Sequence, residues 1–305
     1  MRLARRIVAA SIVAMVAGAA AAPGAGADVV KVSLTAKPAL VEVAPGVRMQ
    51  AWTFNGSVPG PVIRARQGDV VEVTLRNADR MRHGPAGHRQ PMFHSVDFHA
   101  AQVAPDVAFA NVAPGASRTF AFTADRPGVF LYHCGTNPVL EHLGMGMYGA
   151  IVVDPAAGRP PAHEFVLVQS EFYGRVRHGR LISSLRAMRD TAPRVVAFNG
   201  RGLRYVRAPL QVKVGEPVRL YVVSAGPSLD SAFHVVGEIF DSVQPSSDPA
   251  DALHGVSTWS VPPGGGTVFE LAFDQAGTYP FVTHALRWAQ LGAMGRIVAT
   301  APKPQ

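Results

Sequence analysis

One order of short strands and turns is written twice along this 305-residue chain, and that duplication restricts the fold more than any other feature. In the first copy Gly68-Asp69 precedes V-V-E-V-T-L. There follow Phe93-His94, the turn P-G-A at 114–116, T-F-A-F, P-G-V-F-L-Y-H at 127–133 and G-M-Y-G-A-I-V-V. In the second, Gly215-Glu216 precedes V-R-L-Y-V-V. Then come Phe233-His234, P-P-G-G-G at 262–266, V-F-E-L-A-F, A-G-T-Y-P-F-V-T-H at 276–284 and G-A-M-G-R-I-V-A-T. Apolar residues alternating between Gly and Pro turns predict strands with one buried face. About seven or eight such strands per copy predict an all-β chain of two tandem Greek-key sandwiches. A chain that is 48% hydrophobic is long enough for two ordinary cores. D-P-A-A-G-R-P-P-A at 154–162 reads as the linker. The expected division is a signal peptide over 1–27, a first sandwich over 28–156 and a second over 157–305.

The start of the chain has its own logic. Arg2, Arg5 and Arg6 precede an apolar stretch from Ile7 to Ala22 and a small-residue A-G-A site at Ala25 to Ala27. That order makes a secretory signal peptide and predicts export to the periplasm or another extracytoplasmic space, without stable membrane insertion. A membrane anchor would need about 20 strongly apolar residues, and this stretch is rich in Ala and Gly. Arg5-Arg6 also fits a twin-arginine signal. Removing those three arginines takes no acidic residue away, so the formal charge falls from +8 to 8 − 3 = +5. The remaining basic residues are scattered, with no stripe or reading motif for nucleic acid. A mild attraction for small anions or an acidic redox partner is the inference.

The chain contains one cysteine, Cys134, flanked by His133 and followed by His142 and Met147. A buried structural thiol is the plain alternative, but an unpaired cysteine in an exported protein is a liability unless it is used. Two imidazoles, a thiolate and a weak thioether are what a blue-copper electron-transfer centre needs, and His94 upstream supplies the second imidazole. Met145 competes with Met147, because residues two apart in an extended segment face the same way. His94 and His99 are an odd number of residues apart, so in a regular strand they face opposite sides, as do the neighbours His133 and Cys134. His99 and His133 are thereby expected together on the outer surface of the first sandwich. His284 aligns with His133 in the repeat and is the candidate third ligand, brought by the second sandwich of the same or another chain. Three imidazoles with an open position suit catalysis. Asp97 and His234 are the candidate proton donors, although Asp97 could cap a turn and His234 could be a satisfied core histidine. The second copy has Ala285 where the first has Cys134, so it cannot hold a blue-copper centre.

The segments F-N-G-S-V-P-G-P-V-I-R, H-S-V-D-F-H-A, P-G-V-F-L-Y-H-C, M-G-M-Y-G-A-I-V-V, F-H-V-V-G-E-I-F-D and T-Y-P-F-V-T-H-A-L-R-W-A-Q-L-G-A-M-G resemble those of the two-domain copper-containing nitrite reductases of the multicopper oxidase superfamily. The resemblance runs through essentially all of the chain after residue 27. It implies cupredoxin-like sandwiches and two coppers per chain. Type 1 copper would take His94, Cys134, His142 and Met147. Type 2 copper would take His99, His133 and a neighbouring subunit's counterpart of His284. By the same likeness Asp97 and His234 deliver protons and Val236 crowds the substrate. The assembly implied is a homotrimer that reduces nitrite to nitric oxide with electrons from a small cupredoxin or a cytochrome c. The chain departs from the family in Q-V-A-P-D-V-A-F-A-N-V after His99-Ala100-Ala101, in the basic loop from Asn77 to Pro91, and in the little sequence beyond Ala299. A multicopper oxidase is the enzymatic alternative, but the sequence contains no His-x-His pair. A periplasmic electron carrier using the thiolate site alone is the non-enzymatic one.

Overall fold

The computed structural model describes residues 27–83, 90–245 and 249–301. The signal-peptide reading falls almost wholly on residues outside these. Four large sheets make up the fold, and turns and short helices join them. The first sheet runs in the order Gly174–Arg177, Arg180–Ser183, Val47–Phe54, Val29–Ala44, Val70–Asn77, Ser117–Thr123. It faces a second sheet of Ile63–Arg66, Tyr148–Asp154, Gly128–His133 and Asp97–Phe98. Between them lies an apolar core with Leu34, Trp52, Phe54, Val73, Phe98 and Tyr132 among its members.

The second half repeats this arrangement. Val195–Phe198, His163–Phe172, Pro217–Gly226, Gly266–Ala272 and Ser242–Gln244 form one sheet. Leu210–Lys213, Met294–Thr300, Gly277–Thr283, Ser231–Val235 and Thr258–Val261 form the other. Phe198, Phe233, Phe269 and Phe281 fill the space between them. The all-β pair of sandwiches expected from the repeat is the fold observed, in line with the cupredoxin-like form the resemblance implies. No helix among the described residues is long and apolar enough to cross a membrane.

Two features were not expected. The hairpin 174–183, late in the chain, extends the first sheet, because Arg180 and Leu181 pair in parallel with Arg48 and Met49. The strands Gly128–His133 and Tyr148–Asp154 are also buried on both faces rather than one. Val129, Leu131, Tyr148, Ala150 and Val152 leave the first core and pack on Val168, Tyr221, Val223 and Val268 in a third apolar cluster between the sandwiches. The unbroken apolar run in Y-G-A-I-V-V is the mark of such double burial.

Candidate metal centres

The strand ending at His133 governs both clusters of donor atoms. Beyond His133, the Cys134 amide donates to the Met147 carbonyl at 3.0 Å, so the two segments stay abreast where the ladder ends. Consecutive side chains on an extended segment leave on opposite sides. Cys134 turns into the first core and His133 turns outward.

On the inner side, Cys134 Sγ lies 3.1 Å from His142 Nδ1 and 3.9 Å from His94 Nδ1, and all three residues are fully buried. His142 rides on a short helix, Val139–Gly144. The Ser95 amide donates to the sulfur at 3.4 Å. Burial alone would raise the Cys134 thiol. The hydrogen bonds and charges of His142 and His94 outweigh burial and hold it well below the ordinary thiol range, as a thiolate ligand requires. His94 Nε2 lies 3.2 Å from the buried carboxylate of Asp79. A carboxylate accepts, so that nitrogen carries a proton, and the ring turns its Nδ1 toward the sulfur. The two methionines differ in position. Met147 is wholly buried beside Cys134, whereas Met145 lines an open groove. Gly146 between them has φ +110°, and a Cβ there would stand 2.7 Å from Val58 Cγ2 and 3.2 Å from the Trp52 carbonyl oxygen. Only glycine makes that turn without strain.

On the outer side, His133 Nε2 and His99 Nε2 face each other at 3.1 Å. His133 Nδ1 donates to the Cys134 carbonyl at 3.0 Å, and His99 Nδ1 donates to the Gly264 carbonyl at 2.9 Å. Each imidazole therefore turns Nδ1 to a carbonyl and Nε2 to the gap between the rings. Partial desolvation and the neighbouring His133 hold His99 below the ordinary imidazole range, which keeps it neutral. Asp97 lies opposite His133 in the strand register, and its Oδ2 is 3.9 Å from His133 Nε2. Two imidazole Nε2 atoms and a carboxylate oxygen converge there, so this donor set fits a metal ion. So does the convergence of one sulfur and two imidazole nitrogens on the inner side. Gly264 has φ +80°, and a Cβ there would come within 3.0 Å of His99 Cε1, so the loop that orients this ring needs its glycine.

The remaining candidates sit elsewhere. His284 is exposed on the second sandwich, with its ring centroid 5.5 Å from that of His234. His234 Nδ1 donates to the Ser257 carbonyl at 2.6 Å, and Val236, two residues on, is 44% exposed. Within one chain the inner cluster is His94, Cys134 and His142, the outer one is Asp97, His99 and His133, and His284 joins neither. Sequence reasoning missed Asp79, which had one available signal, a lone acid in an otherwise basic loop. It also passed over Gly264, which reads from the sequence only as part of a turn.

A double sandwich with a thiolate and imidazole pocket in its first half defines a chain of the multicopper oxidase class. A family model described as multicopper oxidase matches residues 35–158. The chain is 38% identical over 285 residues to the copper-containing nitrite reductase of Neisseria meningitidis serogroup A, covering 90% of this chain and 71% of that one. Among solved structures it is similar to the copper nitrite reductase of Nitrosomonas europaea, with 36% identity, a TM-score of 0.81 and coverage of 89% of this chain and 94% of the other. A copper-containing nitrite reductase from Thermus scotoductus follows at 34% identity and a TM-score of 0.80, covering 92% of this chain and 64% of that one. The chain belongs to the copper-containing nitrite reductase family.

Proposed function

We propose that this chain is an exported enzyme that reduces nitrite by one electron to nitric oxide, with uptake of two protons and release of water. In this reading His94, Cys134, His142 and Met147 hold type 1 copper, and His99, His133 and a neighbouring copy's counterpart of His284 hold type 2 copper. Bound copper supplies reversible one-electron chemistry and a Lewis-acid position for an anionic oxygen. The residues of the chain do the rest. The peptide joining Cys134 to His133 links the two donor sets covalently. In this reading Asp97, beside His133, hydrogen-bonds a substrate oxygen and passes it a proton, and His234 is the second proton donor. Val236 narrows the approach.

The observation that carries this reading is the pair of complementary half-sites. Asp97, His99 and His133 cluster on the first sandwich, while His234, Val236 and His284 lie on the second. A surface of one sandwich meeting a different surface of another copy makes a head-to-tail contact, and a homotrimer is the ring formed when three such contacts close. The electron donor is a small cupredoxin or a cytochrome c. The test is anaerobic nitric oxide production from nitrite with a reduced dye, together with copper counting and electron paramagnetic resonance. His284→Ala should keep the blue absorption and lose nitrite turnover. A His284→Ala protein with full turnover, or two coppers per chain with oxygen consumed in place of nitrite, would overturn the assignment.

A further inference from the structure

The outer side of the thiolate pocket opens on a groove of about 450 Å³ whose floor includes Trp52 and Met145. The Trp52 ring lies 4.8 Å from the His142 ring and 6.2 Å from the His94 ring, so one aromatic layer separates the groove from the buried donor set. Ile182, 55% exposed, and Met81, 45% exposed, stand at its rim.

The hairpin 174–183 gives this groove its charge. In its register Arg177 lies opposite Arg180 and Arg175 opposite Ile182, while Arg180 in turn pairs with Arg48. Directly paired residues share a face. Leu181 is buried at 4% exposure, so the alternate positions 180 and 182 face outward, and Arg48, Arg175 and Arg177 are exposed with them. Three guanidiniums, those of Arg177, Arg180 and Arg48, thus stand abreast on neighbouring strands. None of these arginines, nor Arg175, has an ion-pair partner among the described residues. Like charges directly opposite one another destabilise a sheet; Glu42 lies across from Arg48 but gives its carboxylate to Arg201 at 3.0 Å. Among the described residues Glu141 is the one acid lining the groove.

We infer that this arginine row, with the apolar rim of Ile182 and Met81, is the docking surface for an acidic one-electron carrier protein. This rests on the type 1 reading of the Cys134 site. In the docked complex one electron leaves the carrier's metal centre and enters the Cys134 site through the Trp52 and His142 side. The carrier is oxidised by one unit and no bond is made or broken. Complementary charge raises the encounter rate and makes it fall with salt, while the apolar rim gives the contact its dry centre.

The test uses one carrier in two charge states: reduced cytochrome c as the basic form, and the same protein with its lysines succinylated as the acidic form. Stopped-flow bleaching of the blue band gives the second-order rate, and surface plasmon resonance gives binding without reference to turnover. At low salt the succinylated form should react and bind at least about tenfold better than the native form. That advantage should vanish at high salt and in Arg177→Glu/Arg180→Glu. Bleaching by a small neutral dye should be unchanged in that variant. Arg177→Gln, which relieves the repulsion, should melt at the same temperature or higher. Native cytochrome c reacting as fast or faster at low salt, or a double variant that keeps the preference, would overturn the proposal. Preference for the acidic form without nitrite turnover would leave the docking surface standing and sink the nitrite reading instead.

Discussion

Replacing Asp79 by Ala isolates what a single buried carboxylate does for the thiolate site. Its Oδ2 is the partner of His94 Nε2 at 3.2 Å, with side-chain exposures of 1% for His94 and 0% for Asp79, so water has no route to replace it. Its Oδ1 accepts the Met81 amide at 2.9 Å and anchors the start of the basic loop. Deleting a hydrogen bond to a charged group costs about 1.5–3 kcal/mol. Loss of such an outer partner to a ligating histidine weakens metal binding by about tenfold to a hundredfold, and the two ranges agree at about 1.4 kcal/mol per decade. The imidazole would be free to turn Nδ1 away from the sulfur. Copper affinity, measured by competition with a chromophoric chelator, should fall within that range, and the thiolate absorption band should shift or weaken. Asp79→Asn can keep the Met81 contact while facing an amide N–H or a weaker acceptor toward His94, which separates loop anchoring from ring orientation. An Asp79→Ala protein with unchanged copper affinity and an unchanged band would refute the reasoning.

Two further outcomes follow from buried groups outside the donor sets. Burial pushes the Glu171 carboxyl up to about 7, against the partial opposition of the Tyr173 hydroxyl and the Leu229 and Ser228 amides. The unfolded chain releases this proton near pH 4.5 and the folded chain only near 7, so the folded state is favoured at low pH and loses up to about 3 kcal/mol as pH rises through that window. Urea titrations should show Glu171→Gln gaining on the parent protein between pH 5 and 8, and an equal pH dependence in both would refute it. Gly146→Ala should destabilise by about 1–3 kcal/mol, from its left-handed backbone and the contact with Val58. It should also perturb the blue band through Met147, and a variant with an unchanged melting temperature and spectrum would count against that account.

The duplicated strand order and both donor clusters were legible because they rest on local chemistry. The histidines, the cysteine and the parity of neighbouring positions can all be read off adjacent residues. The parity argument placed His94 inward and His99 outward even though only Asp97–Phe98 is regular strand, and His94 meets Val112 through an isolated bridge. What stayed hidden depends on pairings distant along the chain. No local pattern announces that Arg180 will lie beside Arg48, and from the sequence the basic residues read as scattered. The contact of Asp79 with His94 also needs a fold-back, across 15 residues of sequence. The double burial of Tyr148–Asp154 left a trace in its unbroken apolar run, but the partner surface supplied by Val168, Tyr221, Val223 and Val268 could not be inferred from it.

The hairpin at 174–183 and the apolar cluster between the sandwiches tie the halves together twice over. A fragment ending near the linker would present Val129, Leu131, Tyr148 and Val152 to water and leave the edge of Val47–Phe54 unpaired. Bare strand edges and apolar faces invite aggregation. The halves repeat one pattern, yet neither is a portable module: the groove beside the thiolate pocket of the first half is walled by Arg180, Leu181, Ile182 and Ser183, residues the ribosome adds only when the second half is already under way.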